Sequence, residues 1–242
     1  MAPFKKQNKA ALITGGSKRI GKNIALRLAS YGYDIAIHYN NSKKEAEILK
    51  EAILKLDVDC EIFQADLGLN VAEKLVTEVA GRFPNLEILI NNASIFENTR
   101  FLETSIKDFE DHFDINFKSP FFLSQNFARI QKKGVIINLL DSKITKSSKQ
   151  YFSYLLGKKT LADFTKMAAL ELAPDIRVNG VAPGKTEFSL GMDDEVKYNK
   201  SKELIPLKQI ASADQISKAV HDLIENEFLT GHILFIDGGD HL

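Results

Sequence analysis

The 242-residue sequence has a single cysteine, Cys60. One thiol cannot form an internal disulfide, and with only five histidines, scattered along the chain, it has no partners for a zinc site. Cys60 reads as a small, partly buried thiol of a reducing compartment. Net charge is absent too: 32 Lys and Arg balance 32 Asp and Glu. That leaves no basic footprint for nucleic acid and no acidic face. Long apolar runs are also missing. The runs at 10–13 and 233–236 are far too short to cross a bilayer, and Lys5 and Lys6 are not followed by an apolar stretch. No internal repeat or low-complexity linker interrupts the chain. What remains is a globular composition, 44% hydrophobic and 26% charged, as expected of a soluble cytoplasmic protein.

Short β-rich runs alternate with longer amphipathic segments. Strands are expected at 10–14, 35–39, 61–65, 88–91, 135–140, 177–182 and 232–236, and helices at 20–31, 42–56, 71–83, 105–116, 120–130, 154–172 and 213–225. Ser42 and Glu45 have the spacing of a capping box. Strands separated by helices predict βαβ crossovers, hence an α/β fold with a doubly wound, seven-stranded parallel sheet covered on both faces. Residues 184–211 lack periodicity and read as a substrate-binding flap on one domain spanning 1–242.

The first strand runs into Gly15-Gly16-Ser17-Lys18-Arg19-Ile20-Gly21, which opens directly into a helix. Glycines there let the backbone turn tightly against a pyrophosphate, and the helix N-terminus supplies N–H donors. An NAD-preferring site places a carboxylate at the end of the second strand. Here the strand ends His38-Tyr39-Asn40-Asn41-Ser42. Lys18 and Arg19 can meet a 2′-phosphate, and His38, Asn40, Asn41 and Ser42 can add neutral donors, so the expected cofactor is NADP(H). Further on, Tyr154 and Lys158 stand four apart on one helix face. A phenol beside a cation is a candidate acid–base pair, the cation favouring phenolate.

With these features in place the sequence resembles the short-chain dehydrogenase/reductase family over essentially its whole length. The resemblance rests on the loop 14–21, Asp66-Leu67, Asn91-Asn92-Ala93, Asn116, the Tyr154/Lys158 pair, Pro183-Gly184 and Asp237-Gly238-Gly239. It implies a Rossmann-type fold and cofactor contacts from Asp66, Leu67, Asn92, Ala93, Ser94, Pro183, Gly184 and Thr186. It also implies a relay positioned by Asn116, a cofactor ribose held by Lys158, and a homotetramer. Three departures matter. The family usually has Gly at Arg19 and at Ser94, and a catalytic Ser where Asp141 stands. Together they resemble the pteridine reductase branch, including the dihydromonapterin reductases, as does the run Asn92-Ala93-Ser94-Ile95-Phe96.

The chemistry agrees with that branch. A carbonyl reductase needs a neutral donor where oxyanion charge develops, and an ionised Asp141 would oppose that charge and raise the pKa of Tyr154. Reduction of a C=N bond instead requires a proton on nitrogen, which a carboxyl group can supply or relay. Phe96 offers a face for a flat heterocycle, and Arg19 and Ser94 can bond its polar edge. The expected activity is NADPH-dependent reduction of a dihydropterin, including dihydrofolate, with Asp141, Tyr154, Lys158 and Asn116 catalytic and Arg19, Ser94, Phe96, Asp141 and Tyr154 facing the substrate. The alternative is a 3-oxoacyl-[acyl-carrier-protein] reductase or another carbonyl reductase of the family. A non-catalytic nucleotide-binding scaffold would not need the full Asn116, Asp141, Tyr154 and Lys158 set.

Overall fold

The computed structural model describes residues 7–186 and 195–242. Seven strands form one parallel sheet: β1 (Ala10–Ile13), β2 (Asp34–Tyr39), β3 (Cys60–Gln64), β4 (Leu86–Asn91), β5 (Gly134–Leu139), β6 (Ile176–Pro183) and β7 (Ile233–Ile236), in the order β3-β2-β1-β4-β5-β6-β7. The strand order reverses between β1 and β4, and the crevice beyond their carboxyl ends is where open α/β sheets bind ligands. Helices α1 (Arg19–Ser30), α2 (Lys43–Leu54) and α8 (Ala213–Glu225) cover one face. The other face carries α3 (Ala72–Arg82), α5 (Ser119–Ile130) and α6 (Phe152–Leu172).

Strand β1 illustrates why its run is apolar at every position. Ala11 and Ile13 belong to the core under α1, while Ala10 and Leu12 belong to the core under α3 and α5, and all four are inaccessible to solvent. Beneath the site, buried amides tie the central strands to the second helical layer. Asn91 Nδ2 donates to Asn138 Oδ1 at 2.8 Å and to Ser124 Oγ at 3.1 Å, and Asn138 Nδ2 donates to Thr165 Oγ1 at 2.9 Å. Both amide donors are thereby offset by a partner, while Asn91 Oδ1 is buried without one.

Several local expectations give way to tertiary partners. Ser42 precedes α2 but makes no capping bond. Its Oγ lies 2.6 Å from Ser17 Oγ, and Glu45 turns instead to Lys18 at 2.7 Å. The helix expected to end at Asn116 is α4 (Ile106–Phe113), which continues through a π-helical turn (Asp114–Lys118) into α5. Pro120 does not separate the two helices: it follows directly on the π turn, where the ladder is already shifted, the Ser119 N–H bonding to the Asp114 carbonyl. Inside 184–211 lies α7 (Glu195–Glu203), whose sequence has no apolar stripe to betray it, and a bridge joins Thr186 to Ala211. The rest of the expected flap, 187–194, lies outside the described residues. Burial pushes the Cys60 thiol up to about 12, which keeps it protonated. Among the described residues no helix is long and apolar enough to cross a membrane, and no His, Cys, Asp and Glu cluster could hold a metal ion.

Candidate active site

A cavity of about 510 Å³ opens at the carboxyl ends of β1, β4, β5 and β6. All of the sequence-predicted site residues line it except Tyr39, Asn41 and Asn116. Tyr39 instead packs into the core on the α1 side, since alternation along β2 sends His38 and Tyr39 to opposite faces. Ile95, Ile115, Leu139 and Leu140 add apolar lining that motif reasoning did not single out.

The cradle at the end of β1 is held by its neighbours. Gly15 adopts φ +59, and a Cβ on Gly21 would stand 2.4 Å from the Gly15 carbonyl oxygen, so only glycine fits there. Thr14 Oγ1 accepts from the backbone N–H groups of Asn92 (2.9 Å) and Ala93 (3.0 Å). Asn92 Nδ2 donates to the carbonyls of Thr14 (2.8 Å) and Gly15 (3.1 Å). Lys18 precedes α1 without a side-chain cap, so the first-turn N–H groups stay available to an anion. Arg19 opens that helix at φ +51. A left-handed non-glycine residue costs about 1–3 kcal/mol, and such strain concentrates at functional positions. Arg19 is one of the residues that line the cavity.

His38 differs from its expected role. Nδ1 accepts the Gly15 N–H at 3.1 Å, and Nε2 lies 3.1 Å from the Ala65 carbonyl oxygen. Both ring nitrogens are engaged, so the ring is no donor to a phosphate. Burial pushes this imidazole down to about 4.

At the other end of the cavity, Tyr154 Oη donates to Asp141 Oδ2 at 2.9 Å, and Asp141 Oδ1 accepts the Lys143 N–H at 2.8 Å. Burial and then the Asp141 carboxylate hold the Tyr154 phenol well above its ordinary value. The expectation that a neighbouring cation favours phenolate therefore fails here. Lys158 directs its ammonium to the Leu139 carbonyl at 2.6 Å and sits 5.9 Å from the Tyr154 ring centroid. Burial pushes Lys158 down to about 8, against the pull of Asp141.

Asn116, expected to position a relay, lies outside the cavity lining. On the π turn and fully buried, its Oδ1 accepts from Ser94 Oγ (2.8 Å) and Ile95 N–H (3.0 Å), while Nδ2 donates to the Ile95 carbonyl (3.1 Å). The amide is committed to shaping the segment that carries Ser94 and Phe96. Phe96 meets Tyr154 edge-on, with centroids 4.7 Å apart at 81°, and stacks on Tyr151 at 4.3 Å and 8°.

Tyr151 is a residue that sequence reasoning missed. It precedes α6 at φ +56, its N–H bound to Asn98 Oδ1 at 3.1 Å, and the Lys143 ammonium lies 5.2 Å from its ring centroid. Its signal was faint: an aromatic residue three before Tyr154.

A glycine cradle at the switch point of a parallel sheet, facing a buried Tyr–Lys pair, defines an oxidoreductase of the nucleotide-binding α/β class. A family model described as enoyl-(acyl carrier protein) reductase matches residues 15–241. The chain belongs to the short-chain dehydrogenase/reductase family. It is 32% identical to the 3-oxoacyl-[acyl-carrier-protein] reductase FabG of Staphylococcus epidermidis, over 97% of this chain and all of that protein. Among solved structures it is similar to the FolM alternative dihydrofolate reductase 1 of Brucella canis complexed with NADP, at 33% identity and TM-score 0.90, covering 97% of this chain and 94% of the other. It is also similar to a short-chain dehydrogenase of Burkholderia cenocepacia in complex with NADP, at 31% identity and TM-score 0.91, covering 98% and 99%.

Proposed function

We propose that the protein is an NADPH-dependent pteridine reductase, taking a dihydropterin, with dihydrofolate as a second substrate, to the tetrahydro form. The observation that carries this reading is the bond from Tyr154 to Asp141 in a cavity walled by Phe96. The residues present fit the cofactor: the cradle closed to any Cβ at Gly21 would let backbone approach a pyrophosphate, and Lys18 and Arg19, which line the same cavity, would supply cations to a 2′-phosphate. Ser17, Ser42 and Asn40 add neutral donors there, Asp66 and Leu67 flank the adenine end, and Lys158 serves the ribose near the nicotinamide. When bound, NADPH supplies a hydride from nicotinamide C4.

The chain's own residues supply the proton. Because Tyr154 stays a phenol, it donates rather than abstracts, and Asp141 beside it relays a replacement from the open side of the cavity. The nitrogen of a reduced C=N bond takes that proton, and no oxyanion forms beside the carboxylate. Phe96, braced by Tyr151, offers the flat wall for a heterocycle. The similarity to FabG favours the carbonyl alternative, but Asp141 in place of a neutral hydroxyl argues against it. The test is turnover: the purified protein oxidises one NADPH per dihydrobiopterin consumed, with the tetrahydro product identified. No NADPH oxidation with any dihydropterin would refute the reading.

Two further outcomes follow from the electrostatics. Lys158, pushed down to about 8, is charged below that pH and neutral above it. The kcat/KM profile therefore falls above about pH 8, and Lys158→Met lacks this limb; an unchanged limb in the variant would assign it elsewhere. Glu45 pairs with Lys18 at 2.7 Å and competes with a 2′-phosphate for that ammonium. Glu45→Gln is expected to lower the Kd for NADPH about three-fold and leave that for NADH unchanged; titrations with both nucleotides check this.

The homotetramer implied by the family is part of the proposal. Ile106, Met167 and Leu170 leave apolar side chains largely exposed on α4 and α6. Light scattering is expected to give the mass of four chains, and a monomer at micromolar concentration would contradict it.

A further inference from the structure

His38 joins three parts of the cofactor site without facing a ligand itself. Its ring is 2% exposed. The Ala65 carbonyl can only accept, so Nε2 carries the ring proton and donates to it, and Nδ1 presents a lone pair to the Gly15 N–H. The His38 backbone carbonyl accepts the Gly16 N–H at 3.0 Å. Two successive N–H groups of the glycine loop are thus fastened to the end of β2, and the same ring is fastened to the residue before Asp66. From the opposite side, Asn92 holds the loop by the carbonyls of Thr14 and Gly15. The loop is clamped between the ends of β2 and β4: His38, through ring and backbone, takes its donors, and the Asn92 side chain takes its acceptors.

We infer that His38 is a positioning residue: as a neutral imidazole of one fixed tautomer it holds the Gly15-Gly16 backbone in the shape that receives a pyrophosphate, and keeps that loop in register with the Asp66 end of the site. This rests on the proposed NADPH reading. Asp66 is the charged group that acts on the ring, and burial outweighs it, so the neutral form prevails across the physiological range. The acceptor at Nδ1 is the feature the cofactor loop depends on. The donor at Nε2 serves the fold.

The variants separate these two ends. In His38→Asn the amide oxygen falls near the Nδ1 position, whereas in His38→Gln the amide reaches toward Nε2 and Ala65. His38→Leu keeps bulk and loses both bonds. NADPH Kd by fluorescence titration and Tm by thermal melting are measured on each. The expected Kd rises about ten-fold in His38→Leu and His38→Gln, from the loss of one buried hydrogen bond, and returns to within about three-fold of wild type in His38→Asn. Tm is expected to fall in all three, with no rescue by Asn. KM for a dihydropterin at saturating NADPH stays unchanged. If His38→Leu does not fold, the Asn and Gln pair decides the matter. Equal Kd values for Asn and Gln, or Kd values unchanged from wild type, would overturn the inference alone. A wild-type protein that binds neither NADPH nor NADP would overturn the cofactor reading, and the inference with it.

Discussion

Asp141→Ser lowers kcat/KM for a dihydropterin by about 10²–10³-fold, the range expected when a positioned proton carrier is removed, while the Kd for NADPH stays within about two-fold. The asymmetry comes from where the carboxylate sits. Its two oxygens are bound to the Tyr154 hydroxyl and to the Lys143 N–H, after β5, which β4 separates from the β1 strand that leads into the glycine cradle. Removing it takes away the acceptor that links Tyr154 to the relay and one of the causes that hold the phenol high. A serine hydroxyl can bond Tyr154 but lacks a carboxylate's basicity, so it cannot take up a proton and pass it on to Tyr154. Steady-state kinetics with a dihydropterin, alongside NADPH titration, checks both halves. Equal losses in turnover and in cofactor affinity would mean that Asp141 is a structural strut.

Tyr154→Phe is expected to be as damaging, about 10²–10⁴-fold in kcat, with NADPH affinity nearly unchanged. The substitution removes one oxygen and keeps the ring that meets Phe96 edge-on, so the substrate wall survives and KM changes little. The kcat-against-KM split is the informative readout. A rise in KM with kcat preserved would assign the hydroxyl to substrate binding instead of proton transfer. Because Asp141 and Tyr154 act as one unit, the double variant is expected to lose little more than either single variant.

The cofactor end of the site was legible because its chemistry depends on backbone. Only glycine fits at Gly21, and the missing carboxylate after β2 is visible as a residue type. The departure at Arg19 was legible through the resemblance, since the family usually has Gly there, and the structure adds that this position has a left-handed backbone. What stayed hidden arises from partners distant in sequence. His38 reads as a polar residue at a strand end until Gly15 and Ala65 close on its ring. Nothing in the sequence around Asn116 announces the π turn that aims its amide at Ile95. Tyr151 gains its role only through Phe96, and the Ser42–Glu45 box is dissolved by Ser17 and Lys18. Local patterns record propensity, and these four sites are decided by tertiary contact.

The central claim is that a carboxylate in place of the family's neutral donor makes this a C=N reductase. Following NADPH oxidation with dihydrobiopterin, dihydrofolate and an acetoacetyl thioester in parallel, at matched concentrations, tests it most directly. Turnover of the two pterin substrates well above that of the thioester is the predicted result; turnover of the thioester alone would contradict the account.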